Sequence, residues 1–144
     1  MADNHTPEVR SYIMSQIRSK DTKPELIVRS YLHCSGFRFR LHRKDLPGRP
    51  DIVLPRYRVL IMVHGCFWHA HQDPKCNVFK WPTSRQDWWR TKLTRNRERD
   101  ESRQHELQEL GWKVIVIWEC QLNPKRLRTT LERTRRAIVR HTNL

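Results

Sequence analysis

The sequence predicts an α/β fold in which helices flank a mixed β-sheet, within a single domain of residues 1–144. Two short apolar runs, residues 51–54 and 59–63, are rich in β-branched residues and joined by a polar turn. A long charged stretch at residues 84–110 is helical in character, and a third apolar run follows at residues 113–119. A further strand is predicted before residue 51, and one helix is predicted near each end of the chain. Together these elements predict an α/β sandwich.

Residues that are typical of helix ends predict the position of the first helix. Thr22 suits the N-cap, Pro24 the first turn and Glu25 the far position of a capping box. Gly36 follows the predicted end and provides a stop. Cys34 is predicted to be a core thiol on this helix. The positions predicted to face inward are Leu26, Ile27, Tyr31 and Leu32.

The remaining elements follow from the same rules. Residues 37–41 alternate apolar and basic side chains, which predicts a half-exposed strand. Residues 113–119 form a nearly continuous apolar run and are predicted to be a buried strand. Asn123 and Pro124 precede a last helix. Its inward side carries Leu127, Leu131 and Ile138.

Charge is the strongest signal in the composition. Lys and Arg number 29 against 15 Asp and Glu, a formal net charge of +14. Solubility needs a net charge of only about 2–8 in a small domain, so the excess predicts a polyanionic partner. Nucleic acid is favoured over an anionic membrane, because no stretch resembles a lipid-facing helix. No apolar signal region is seen at the N-terminus, so a cytoplasmic, nucleoid-associated protein is expected.

Three of the four cysteines take part in a spacing typical of zinc sites. Four residues separate Cys66 from His71, four more separate His71 from Cys76, and Cys120 lies far downstream. Three close ligands and one remote ligand can close a tetrahedral zinc site and so order a loop with little apolar surface. The alternative is a set of ordinary buried thiols beside a solvated histidine.

A second group of residues suits phosphodiester hydrolysis, in which a metal ion neutralises charge and activates water. Asp51 opens a predicted strand, and the neighbouring strand ends at His64. This layout matches the first half of the PD-(D/E)xK nuclease core. The second carboxylate and the lysine of that motif are absent, and His64 and His69 could carry protons instead. The alternatives are a turn carboxylate at Asp51, a capping role for Glu25, and core or solvated histidines.

Several strings resemble the very short patch repair (Vsr) endonucleases over roughly residues 9–122. The most specific are Gly48-Arg49-Pro50-Asp51 and His64-Gly65-Cys66-Phe67-Trp68-His69. The others run from Met14 to Thr22, Asn96 to Asp100, Leu110 to Val114 and Trp118 to Cys120. The resemblance implies a restriction-endonuclease-like fold with a catalytic Mg²⁺ and a structural Zn²⁺. The zinc ligands that it implies are Cys66, His71, Cys76 and Cys120.

The resemblance also implies how the Mg²⁺ is held. Asp51 and the backbone carbonyl of Val63 would bind it, and Glu25 would hold water in its coordination shell. Val63 replaces a threonine that is common in the family, which leaves a carbonyl ligand unchanged. The loop before Cys76 is longer than is usual in the family.

The chemistry implied by the resemblance is a nick on the 5′ side of the thymine in a T:G pair. Such pairs arise when 5-methylcytosine deaminates, and the nick begins short-patch repair. His69 would be the general base, and Asp100 would orient it. His64 would contact the scissile phosphate or a water molecule on the metal ion.

The DNA contacts implied by the resemblance involve aromatic and polar side chains. The aromatic ones match positions that insert beside the mismatch and replace lost base stacking, and a mismatch costs less to unstack than a normal pair. The N-terminal arm, residues 1–20, would enter from the minor groove. For the two tryptophans, core packing is the alternative. The implied DNA-contacting residues are Met14, Phe67, Trp68, Trp89, Lys92 and Asn96.

Two other interpretations stay open. A non-catalytic zinc module that binds mismatched or bent DNA would use the same zinc, charge and aromatic residues. A nuclease with the same core could also cut without a mismatch. The expected partner is double-stranded DNA with a T:G mismatch, bound by a monomer. Mismatch-repair proteins are further candidate partners, and no membrane association is expected.

Overall fold

The computed structural model describes residues 21–141, so the predictions for Met14 and the N-terminal arm lie outside the described residues. The predicted order of helices and strands is confirmed. The helices are α1 (Lys23–Cys34), α2 (Gln86–Glu109) and α3 (Leu127–Arg140). The strands are β1 (Arg40–Leu41), β2 (Ile52–Leu54), β3 (Val59–His64) and β4 (Lys113–Trp118). Among the described helices, none combines the length and apolar character needed to cross a membrane.

The four strands form one mixed sheet in the order β1-β2-β3-β4. The pairs β1–β2 and β2–β3 are antiparallel, and β3–β4 is parallel with α2 as the crossover. Ile52 lies opposite Ile61, so the start of β2 is beside the end of β3. The predicted hairpin is thereby confirmed, and its open end is where polar residues gather.

Side chains on β2 and β3 alternate between two apolar cores, as the pleat of a central strand requires. One core packs against α1 and α3, and the other packs against α2. The first contains Val28, Leu32, Ile52, Leu54, Val59, Ile61, Ile117, Leu131 and Ile138. The second contains Val53, Leu60, Met62, Leu107 and Trp112. Helices therefore cover both faces of the sheet and leave its ends free for a site.

The N-cap at Thr22 and the stop at Gly36 are confirmed, whereas the returning half of the predicted capping box is not found, because the Glu25 carboxylate contacts Arg29 and His42 instead. Thr22 Oγ1 accepts a hydrogen bond from Glu25 N at 3.4 Å. Gly36 has φ +89°, and Phe37 N donates to Leu32 O at 3.0 Å, which closes the last turn. This left-handed position favours glycine because a side chain there is strained.

Two burial predictions for α1 are wrong. Leu26 is 45% exposed, because the buried side of the helix carries Val28 and Leu32. Cys34 is exposed and is not a core thiol, since the helix ends beyond the edge of the core at this residue.

Two strand predictions are also corrected. The strand predicted at residues 37–41 is limited to Arg40–Leu41, because only these two residues pair with β2. The run at residues 113–119 was predicted to be buried, yet β4 is partly exposed apart from Ile117. Its position at the edge of the sheet explains the difference, because one side of an edge strand has no neighbour.

Candidate active site and metal centres

The candidate active site is built around Asp51, the residue immediately before β2. Antiparallel pairing places it beside the end of β3, where Val63 N donates a hydrogen bond to Asp51 Oδ2 at 2.8 Å. The N–H and C=O groups of one strand residue point toward the same neighbouring strand. The Val63 carbonyl is therefore directed to the same side as the carboxylate.

Glu25 brings a second carboxylate to Asp51 from the first turn of α1. Its side chain is only 2% exposed and lies within hydrogen-bonding reach of the Asp51 carboxyl. The Glu25 carboxylate also contacts Arg29 and lies 3.0 Å from His42 Nε2. Glu25 thus uses its backbone N–H for the helix cap and its carboxylate for the site.

The pairing of two acids in a buried place changes the acidity of Asp51. Burial raises the pKa of Asp51 to about 7, the charge of Glu25 adds to the rise, and the hydrogen bond from Val63 N opposes it. A divalent cation would relieve the repulsion between the two carboxylates. Carboxylate and carbonyl oxygens are also the ligands that hard divalent ions prefer. The donor set of Asp51, Glu25 and Val63 therefore fits such an ion.

Two histidines from the end of β3 and the following turn are stacked beside these acids. The rings of His64 and His69 are parallel, with centroids 3.8 Å apart. His69 Nδ1 contacts Asp100 Oδ2 on α2. Because the carboxylate occupies Nδ1, the Nε2 atom of His69 is left to accept a proton. The structure thus brings together the two histidines predicted to carry protons and Asp100, which the family resemblance implies as the residue that orients His69.

His64 is held neutral by its surroundings. It is buried, and burial lowers its pKa to about 3, with the nearby His69 acting in the same direction. Its Nδ1 has no hydrogen-bond partner among the described residues. The edge of the Trp118 ring faces the imidazole, with centroids 5.0 Å apart. A neutral imidazole can donate one N–H to a phosphate oxygen but cannot supply a positive charge.

Asp51 and the residues that handle protons share one cleft of about 460 Å³, which Glu25 does not line. Asp51, His64, His69 and Asp100 all lie in its wall. Three basic residues for which the sequence predicted no role lie there too. They are Lys44, Arg49 and Arg103. An open cleft that combines acids, imidazoles and cations is suited to an anionic substrate.

The four predicted zinc ligands meet in a second cluster. The ligand atoms of Cys66, His71, Cys76 and Cys120 all lie within 4.8 Å of one another. His71 Nδ1 is 3.6 Å from Cys66 Sγ and 3.5 Å from Cys120 Sγ. Tetrahedral Zn²⁺ with Zn–S of about 2.3 Å and Zn–N of about 2.0–2.1 Å separates S from N by roughly 3.5–3.6 Å. The cluster therefore has the dimensions of a zinc site.

The surroundings of the cluster suit thiolate ligands. Cys120 N and Phe79 N donate to Cys66 Sγ and Cys76 Sγ at 3.3 and 3.4 Å. Burial raises the pKa of Cys66 and of Cys120, so these thiols keep their protons unless a metal ion replaces them. The His71 ring stacks on Trp118 at 3.8 Å between centroids. Trp118 consequently contacts both the four-residue Cys/His cluster and His64 of the cleft.

The predicted DNA-contacting aromatic residues also lie together. The ring centroid of Phe67 is 5.1 Å from that of Trp68 and 5.2 Å from that of Trp89. All three are partly exposed, and none belongs to either apolar core. The aromatic group is therefore a surface feature, which disfavours the core-packing alternative. The neighbouring Trp88 is 40% exposed.

The two polar residues predicted on α2 have separate surroundings. Lys92 Nζ lies 5.7 Å from the centre of the Trp88 ring. Asn96 Nδ2 donates to Trp68 O at 3.1 Å and so ties α2 to the loop that carries the aromatic residues. Both line a groove of about 530 Å³ on the outer side of α2.

Comparison with known proteins identifies the family of this chain. A family model described as DNA mismatch endonuclease Vsr matches residues 2–76. The chain belongs to the Vsr family. It is accordingly a DNA-nicking endonuclease, a hydrolase of phosphodiester bonds, and its nuclease family implies a divalent metal ion.

Individual relatives resemble the chain over most of its length. The type II nicking enzyme V.XorIIP of Xanthomonas oryzae is 52% identical over 123 residues, which cover 85% of this chain and 88% of that protein. The type II nicking enzyme V.NmeAIP of Neisseria meningitidis is 45% identical, with 96% and 97% of the two chains covered. The DNA mismatch endonuclease Vsr of Escherichia coli is 45% identical, with 85% and 76% covered.

Several residues of this Vsr-family site could not be anticipated from the sequence. His42 contacts Glu25 from outside α1, and Arg103 reaches the cleft from α2. The contact of Arg29 with Glu25, by contrast, has the i,i+4 spacing of an ion pair on one helix. No spacing rule joins residues 25 and 42 or residues 51 and 103. The only available signal was the density of basic residues on the long helix, seven from Arg85 to Arg103.

The raised pKa of Asp51 predicts a pH-dependent stability in the protein freed of divalent metal ions. A carboxyl in the unfolded chain loses its proton near pH ~3.9, whereas Asp51 in the fold keeps it up to about pH 7. The folded state therefore binds more protons between these values, and stability falls as the pH rises through this window. Denaturant unfolding from pH 5 to 8 should show the fall, and Asp51→Asn should reduce it. Equal slopes for the two proteins would contradict the prediction.

Proposed function

We propose that this endonuclease hydrolyses one DNA strand 5′ to the thymine of a T:G mismatch, with Mg²⁺ at Asp51 and Zn²⁺ in the Cys66 cluster. One observation carries the catalytic part of the proposal. Asp51 and the His64–His69 pair line a single cleft, Glu25 contacts Asp51 from behind the cleft wall, and Asp100 holds His69. A cation-binding pair of acids beside an oriented base is what metal-assisted hydrolysis requires.

The proposed proton acceptor is His69. Its Nδ1 faces Asp100, so its Nε2 takes the proton of the attacking water. As the water oxygen forms its bond to phosphorus, one P–O bond to the leaving strand breaks, and the leaving oxygen takes a proton from solvent. His64, being neutral, donates an N–H to a phosphate oxygen. Mg²⁺, when bound by Asp51 and the Val63 carbonyl, supplies neutralisation of the phosphate charge.

The proposed mismatch recognition depends on the partly exposed aromatic group. Phe67 contacts Trp68 and Trp89, which gives a rigid set of rings beside the loop that leads to His69. Flat side chains can replace base stacking when a weak pair is opened, and a T:G pair costs less to open than a normal pair. The E. coli relative, named a DNA mismatch endonuclease, supports this choice of substrate.

The decisive test compares a T:G duplex with its matched C:G parent in the presence of Mg²⁺. We expect nicking of the thymine strand in the mismatched duplex and at least about tenfold slower cutting of the parent, which corresponds to about 1.4 kcal/mol. A duplex with randomised flanks then identifies the bases recognised around the mismatch. Equal cutting of both duplexes would instead favour a nuclease without a mismatch requirement. Binding without cutting would favour a non-catalytic module.

The role of the aromatic group is tested by Phe67→Ala. Loss of one stacked ring is expected to weaken binding to the T:G duplex by about 5- to 150-fold, since a stacked base is worth ~1–3 kcal/mol. Binding to the matched parent should change little. Phe79→Ala is the control, because Phe79 lies at the edge of the same group, 6.2 Å from Phe67 between centroids. Equal losses on both duplexes would contradict a role in mismatch recognition.

A further inference from the structure

The catalytic cleft carries cations that the proposed mechanism leaves unused. Lys44, Arg49 and Arg103 line it, and all three side chains are exposed to solvent. None of them forms an ion pair with a carboxylate in the part of the chain that the structure describes. Unpaired cations that share a cleft with Asp51 and Asp100 are suited to a phosphate, which would bring its own negative charge.

Arg103 has the best-defined position of the three. It lies three residues after Asp100 on α2, so both side chains leave the same side of the helix. Its side chain runs along Gly48 in the turn before Asp51. A Cβ atom at Gly48 would lie 3.2 Å from both Cβ and Cδ of Arg103. The glycine therefore leaves room for the arginine stem to pack against the wall of the cleft.

The proposed mechanism lacks a positively charged side chain beside the phosphate, and Arg103 can provide one. The lysine of the PD-(D/E)xK motif is absent, and its region of the sequence is Ile61-Met62-Val63. His64 is buried against the edge of the Trp118 ring, whereas the Arg103 side chain is exposed and carries a permanent positive charge that can balance the charge growing on the phosphate oxygens during attack. A guanidinium group presents two parallel N–H donors that match phosphate oxygens.

We propose that Arg103 binds a non-bridging oxygen of the scissile phosphate and stabilises the transition state, in place of the missing lysine. The inference depends on the proposed hydrolytic function and adds a catalytic residue to it. The guanidinium forms no covalent bond and transfers no proton. It acts through charge and through hydrogen bonds that strengthen as the attacking water adds to phosphorus.

The test is single-turnover nicking at saturating enzyme and Mg²⁺, with duplex affinity measured separately. Arg103→Gln should lower the nicking rate by about 10²-fold, the usual effect of removing one donor to a transition-state oxyanion. Affinity should change by less than about threefold, and Arg103→Lys should recover part of the rate. Arg135→Gln is the charge-matched control, because Arg135 is exposed on α3 and outside the cleft.

A structural role for Arg103 is separated from a catalytic one by chemical rescue. Adding methylguanidinium to Arg103→Ala should raise its nicking rate, whereas a variant damaged in folding would gain nothing. A wild-type rate for Arg103→Gln, or a slow rate restored neither by lysine nor by methylguanidinium, overturns the proposal. The rates are compared on whichever duplex the wild type cuts, so a failed T:G requirement does not decide the role of Arg103.

Discussion

Replacing Asp51 with asparagine should abolish nicking of the T:G duplex and leave duplex binding nearly intact. The change keeps the size of the side chain but removes the charge that attracts the metal ion. Lewis-acid stabilisation by a bound metal is worth several kcal/mol, so a rate loss on the order of 10³-fold or more is expected. Single-turnover nicking with a Mg²⁺ titration measures this loss.

Two further measurements make the Asp51 prediction specific. Asp45→Asn removes the same charge from an exposed side chain six residues earlier and should nick at the wild-type rate. The binding of Mn²⁺, used as a probe of the same site, should weaken in Asp51→Asn and not in Asp45→Asn. Undiminished nicking by Asp51→Asn would remove the proposed metal centre from the reaction.

Replacing Cys120 with serine should have the largest effect on stability. Cys120 is buried and follows β4, whereas the other three members of the cluster lie on the loop at residues 66–76. A zinc ion held by all four would tie this loop to the sheet, and its binding free energy would be part of the folding free energy. We expect loss of one bound zinc per chain and a fall of several kcal/mol in the free energy of unfolding.

The chain provides its own control for the zinc prediction. Cys34 is exposed and outside the cluster, so Cys34→Ser should keep the zinc and unfold at the wild-type denaturant concentration. A zinc-selective chelator should destabilise the wild type and Cys34→Ser alike, and added Mg²⁺ should not reverse the effect. If the purified wild type contains no zinc and its unfolding midpoint does not change with the chelator, the cluster is four buried side chains that bind no metal ion.

One aromatic residue, Trp118, contacts both the Cys/His cluster and the cleft, so removal of zinc is expected to affect nicking as well as stability. Trp118 stacks on His71 of the zinc-type cluster and presents its edge to His64 of the cleft. Loss of the metal would free His71, and with it one of the contacts that position the imidazole pair. Nicking should therefore fall on zinc removal even at temperatures where the chain stays folded.

Features that depend on residues close together in the chain could be predicted from the sequence. Three such features are found in the structure: the cap at Thr22, the stop at Gly36, and the β-hairpin whose turn is at residues 55–58. Each depends on neighbours within a few positions. The zinc-type spacing of Cys66, His71 and Cys76 is equally local. These features follow from backbone geometry and ligand reach, which act over short stretches of chain.

Other features were decided only when the chain closed on itself. Whether Cys34 is buried depends on where the core ends, and the exposure of β4 depends on its place at the sheet edge. The contact of His42 with Glu25 joins residues 17 positions apart, and the approach of Arg103 to Gly48 joins residues 55 positions apart. Periodic patterns specify which face of an element is apolar. They do not specify which polar residues of distant elements meet where two strands end, because that depends on how the whole core packs.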